Sequence, residues 1–141
     1  MAGPAAFLRR DDGGAAVEFA ILTPAYLLML AGMLAYGLYF GAAHSLQQLA
    51  ADAARIAIAG LDASERDDLV GAYLDNNAGA YMLLDGDNLT YSIGTSPTDP
   101  NQYRVELQYD AASLPIWNLY PPLPLPNPVL ASGATIRNGG L

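Results

Sequence analysis

The chain has no cysteine, no lysine, one histidine and one tryptophan in 141 residues. Without cysteine, neither a disulfide framework nor a thiolate metal site can form, and a lone His44 excludes a histidine metal cluster. All six basic residues are arginines, set against 14 acidic residues for a formal charge of −8. That balance argues against nucleic acid or an anionic lipid surface as the main partner. Catalytic machinery is also missing: there is no Ser-His-Asp set with spare members and no phosphate-cradling glycine loop after a strand. A non-enzymatic role with no cofactor and no metal is therefore expected.

What the chain does have is one long apolar run. After Glu18, the 22 residues from Phe19 to Phe40 carry no charge, and as a helix they rise about 33 Å, enough to cross a bilayer. A soluble core helix is usually shorter and seldom apolar on every face. A transmembrane segment at about residues 19–40 is the expectation, with the lipid bilayer as its surroundings. Pro24 is expected to bend it, Thr23 to bond back to its own helix, and Gly32, Gly37 and Gly41 to leave room for close helix contacts.

Arg9 and Arg10 precede the run, so the positive-inside rule keeps the N-terminus cytoplasmic and exports the C-terminal hundred residues. An ordinary secretory signal fits less well, because its apolar region should be about 7 to 15 residues. Gly41 to Ala43 remain an alternative cleavage site under that reading. Glu18 is the odd residue, a carboxylate enclosed by apolar neighbours. At membrane depth it costs roughly 2.5 to 3.5 kcal/mol, less near the interface, so a partner cation is expected.

The run Gly13-Gly14-Ala15-Ala16-Val17-Glu18-Phe19 resembles the processing site of type IV prepilins of the tight-adherence class. The longer frame AAVEFAILTP and the span after it resemble the TadE/TadG family of pilus-assembly proteins. The resemblance implies a prepilin peptidase that cuts between Gly13 and Gly14, making Glu18 the fifth residue of the mature chain; a cut after Gly14 stays open. It also implies other pilin or pseudopilin subunits and an inner-membrane assembly platform as partners. Where many members carry a second acidic residue and an arginine near the far end of the span, this chain has Ala35 and Leu38.

Past the span, Leu46, Leu49, Ala53, Ile56 and Gly60 recur at helical spacing, extending one helix from Gly14 to Ala59, with Gly60 as its stop. His44 reads as an interfacial polar residue and Arg55 as a solvated helix charge. Asp62-Ala-Ser-Glu65 opens a second helix reaching about Asn77. Asp67, Asp68 and Asp75 lack the ligand pattern of a calcium loop, and Asp85-Gly86-Asp87-Asn88 reads as a hairpin turn. Leu89 to Ile93 and Tyr103 to Tyr109 alternate as an antiparallel strand pair, with a third strand from about Val129 to Arg137. The proline-rich loop 114–128 is expected to pack over the sheet, or else to be exposed as a docking surface.

These readings give an α+β fold in three parts: a cytoplasmic leader 1–13, a long helix 14–60, and a small exported domain 61–141. The expected function is a minor pilin or pseudopilin of a tight-adherence pilus, held in the inner membrane and assembled through its helix. The alternatives are a major filament subunit, a membrane-anchored binding module without processing, and a fragment of an exported enzyme.

Overall fold

The computed structural model describes residues 12–119 and 123–137. The arginine pair at 9 and 10 lies outside them. Helix α1 spans Asp12–Ile56 and α2 spans Ala63–Asn77; strands β1 (Leu89–Thr95), β2 (Gln102–Asp110) and β3 (Val129–Arg137) follow. The architecture is α+β, as the change of period from 3.6 to 2 implies.

The long helix ends slightly before the expected Ala59. At Ala57–Ala59 it tightens into a single 3₁₀ turn, and Gly60 then leaves it with extended backbone, φ −77° and ψ 135°. Gly60 has a steric reason to be glycine. A Cβ there would lie 2.8 Å from the Arg66 backbone nitrogen, closer than packed atoms tolerate. The second helix starts as its sequence signals, with the Asp62 carboxylate accepting the Glu65 N–H at 2.9 Å. Glu65 reaches back in turn, accepting the N–H of Leu61 at 2.7 Å instead of that of Asp62. The first bond satisfies an orphan donor of the helix start, and the second ties down the residue that enters it.

The sheet is an antiparallel meander of order β1-β2-β3. Register pairs Leu89 with Tyr109 on one side and Tyr109 with Leu130 on the other. On the central strand, Tyr103, Val105, Leu107 and Tyr109 are all buried, alternating with exposed residues. They pack on the second half of α1, where Leu46 and Leu49 are flanked by Ala42, Ala50, Ala53 and Ala54, and on Ala57 just past it. The alanines keep this face of the helix low, so sheet and α2 approach closely around the two leucines. The opposite sheet face is polar and carries the Arg104–Glu106 ion pair.

Two expectations change here. Residues 86–88 form a 3₁₀ turn before β1, with Asp85 accepting the Asp87 N–H; among the described residues no strand precedes it for a hairpin. Arg55 stays a solvated helix charge, as expected, its exposed side chain pairing with Asp52 one turn away on the same helix face. The proline-rich loop divides. Leu114 and Ile116 enter the core, whereas 123–127 runs along α1 and not over the sheet, because its carbonyls find hydroxyl donors on the helix. Tyr36 donates to the Pro124 carbonyl at 2.6 Å and Tyr39 to that of Asn127 at 3.2 Å.

Candidate assembly site on the N-terminal helix

Gly13 and Gly14 sit in the first turn of α1, so the expected boundary between leader and mature chain falls inside the helix. Glycine is a poor helix former, about 1 kcal/mol worse than alanine. The first turn is therefore the easiest part of α1 to open. A Cβ at either glycine would meet nothing within 4 Å. The fold itself does not require glycine at these positions.

From Gly13 to Leu30 every position is exposed except Thr23. Phe19 is 71% exposed and Ile21 70%. The Thr23 hydroxyl donates back to the Phe19 carbonyl at 2.5 Å, and the chain stays helical across Pro24. Proline has no N–H, so the carbonyl of Ala20 loses its usual partner one turn back. Glu18 projects from this apolar surface, and among the described residues no cation pairs with it. Gly14 and Glu18 are four residues apart, which puts them on one helix face.

Beyond Leu30 the helix acquires partners from its own chain. Ala35 is fully buried, Leu38 and Tyr39 pack against the core, and a Cβ at Gly32 would touch Leu123 at 3.4 Å. Gly41 accommodates Leu83, whose Cδ1 lies 3.0 Å from where a Cβ would be. Two of the three glycines expected to receive other helices thus receive loops of this domain; Gly37 stays open. Ala35 and Leu38 are also the positions at which the chain departs from the charged pattern. Both lie where the domain covers the helix, and a charge there would be desolvated.

Along residues 13–59, α1 and the 3₁₀ turn after it, an 18-residue window reaches a mean hydropathy of 1.8 with none of it buried. Such a helix fits a single-pass membrane protein. The family model of TadE-like proteins matches residues 13–55. The N-terminal helix is TadE-like. The match begins at Gly13 and stops one residue short of the end of α1, so it covers the helix and none of the sheet. It supports the assignment to the TadE-like family of pilus proteins that the Gly13-to-Phe19 motif implies. No curated protein and no solved structure matches the chain.

Sequence reasoning missed the polar ties that hold the domain together and to this helix. Tyr81 donates to Asp52 at 2.8 Å and shares a 2.7 Å hydrogen bond with Tyr73. Tyr103 donates to Asp67 at 2.6 Å, and Tyr91 to Asp75 at 3.2 Å. Two of the aspartates weighed as cation ligands thus accept tyrosine hydroxyls. Burial, and then hydrogen bonds to Tyr73 and Asp52 for Tyr81 and to Asp67 for Tyr103, push these two hydroxyls well above the ordinary tyrosine range. Tyr91 shifts in the same direction. An anionic phenolate beside a carboxylate in a partly dry site is disfavoured by both effects. The signal available in the sequence was nine tyrosines among 14 acidic residues, but their pairing is set by tertiary contacts.

Proposed function

We propose that this chain is a pilin-like subunit of a tight-adherence pilus, released from its leader by a prepilin peptidase and assembled, without catalysis of its own, by lateral packing of α1. The observation that carries this reading is the unpartnered apolar surface of α1 from Gly13 to Leu30, with Glu18 standing in it. The domain covers only one face of α1 from Ala31 onward. A plain anchor needs apolar length but no carboxylate, whereas an assembling helix has a use for one. After a cut at Gly13, the new α-amine of Gly14 would lie on the same face as Glu18. An ammonium poorly solvated by water, from the same chain or a neighbouring subunit, would offset the desolvation of the carboxylate. Before processing, the domain would stand outside the inner membrane with the N-terminus in the cytoplasm.

The test is intact-mass and N-terminal analysis of the protein isolated from its native membrane. A chain beginning at Gly14 is expected, and Gly13→Val is expected to stop the cut. Because the fold leaves open space around Gly13, loss of cleavage in that variant would report on the peptidase and not on misfolding. Met1 retained with an active peptidase present would overturn the processing step.

A further inference from the structure

The apolar run and the folded domain overlap along α1, and the overlap has a definite depth. Glu18 to Tyr39 is 21 residues, about 32 Å of helix, against a hydrocarbon core of about 30 Å. With Glu18 at the inner boundary, the outer boundary falls near Tyr36, Tyr39 and Phe40. These rings form one cluster, Tyr39 and Phe40 edge to face at 5.9 Å and Tyr36 and Phe40 at 6.2 Å. Aromatic rings of this kind mark membrane interfaces. Leu123 touches the helix at Gly32, seven residues before Tyr39 and so about 10 Å deeper along the axis.

We infer that residues 123–126 of the proline-rich loop form a foot that dips below the aromatic level into the outer leaflet, alongside the helix, with lipid acyl chains as its partner. This rests on the reading of α1 as a membrane span. Irregular backbone is ordinarily barred from hydrocarbon because its polar groups go unpaired. Here Leu-Pro-Leu-Pro-Asn-Pro removes half of the donors, since Pro124, Pro126 and Pro128 have no N–H. Three carbonyls are engaged as well: Pro124 and Asn127 by the tyrosine hydroxyls, and Pro128 by the Ala111 N–H at 2.8 Å. No residue from Leu114 to Ala134 is charged. Leu123 and Leu125 are half-buried against the chain, while Pro124 faces outward. Long helical side chains lean toward the helix N-terminus, so the two tyrosines reach down toward the leaflet to hold the loop.

The absence of cysteine makes single-cysteine variants of the full chain unambiguous. Pro124→Cys and Leu125→Cys, with Leu27→Cys in the span and Ile58→Cys in the 3₁₀ turn just past α1 as references, would each carry a nitroxide. The chains would be reconstituted at low protein-to-lipid ratio in phosphatidylethanolamine and phosphatidylglycerol vesicles. Collision of the label with oxygen is compared with collision with a water-soluble nickel chelate. The expected oxygen-to-nickel ratio at 124 and 125 is several-fold above that at 58 and close to that at 27. Lipid access at 27 with water access at both loop positions would overturn the foot and leave the span standing. Water access at 27 would overturn the span and the foot with it. Shielding of 124 and 125 from both reagents would mean that a second copy, not lipid, covers the loop, and would also overturn the inference.

Discussion

The hydroxyl of Tyr103, on the buried face of the central strand, donates to the carboxylate of Asp67 on α2 at 2.6 Å. It ties helix to sheet through a proton that both partners need. Tyr81 stands in the same relation to Asp52 on α1. Each pair works only while the phenol is protonated.

Alkaline pH is therefore expected to weaken the domain. A tyrosine in the unfolded chain loses its proton near pH 10, and Tyr81 and Tyr103 lose theirs higher in the fold. A folded pKa raised above the unfolded one gives stability that is complete below about pH 10 and is lost as pH climbs through the folded value. Denaturant midpoints in micelles at pH 8 and pH 11 should show the drop. Tyr103→Phe should cost about 1 to 2 kcal/mol at pH 8 and make the slope with pH shallower; an unchanged slope would contradict the role given to this pair.

Gly60→Ala should destabilise by about 1 to 3 kcal/mol, because the added methyl meets the Arg66 backbone nitrogen and cannot be relieved by a side-chain rotation. The backbone at Gly60 is extended, a conformation alanine adopts freely, so the effect isolates packing from backbone strain. A midpoint unchanged from wild type would show that the close approach relaxes at no cost.

Asp62→Ala removes the acceptor for the Glu65 N–H and should cost about 1 kcal/mol. Asp62→Asn, which keeps an acceptor oxygen, should recover most of it. Thermal unfolding of the three chains side by side distinguishes a cap from a general charge effect, since the latter would leave Asn as poor as Ala.

Glu18→Ala should insert into the membrane at normal or raised level, because the desolvation cost disappears, yet fail to join or support pili. Glu18→Gln, with the size kept and the charge gone, should fail alike. Membrane abundance and recovery in sheared filaments are the two measurements. Wild-type piliation in the Glu18→Ala strain would reduce α1 to an anchor.

Local features were legible in the sequence where one element contains its own cause. Asp62 and Glu65 cap α2 from three residues apart, the alternation Tyr103, Val105, Leu107, Tyr109 makes a buried strand face, and the uncharged run from Phe19 makes a span. The motif from Gly13 to Phe19 is likewise a matter of spacing; the structure adds that it remains uncovered. The course of 123–127 was not legible, because its cause lies 88 residues away in the hydroxyls of Tyr36 and Tyr39. The same holds for Asp67 and Asp75: their spacing already spoke against a cation, but the tyrosines they accept from are brought by the sheet.

The 45 residues of α1 pass from the apolar run into the folded domain without a break, and the domain grips the helix both at Gly32 to Tyr39 and at Leu46 to Ala57. No hinge separates anchor from cargo. Any tilt of the span is consequently a tilt of the sheet, like a flag fixed to its pole: from Phe40 to Ile56 the helix rises about 24 Å, so a lean of about 20° swings its far end by about 8 Å. Rotation of the helix about its own axis would likewise turn the polar sheet face to a new compass bearing. Neighbours that set the azimuth of the apolar helix therefore also decide which way each surface of the domain faces.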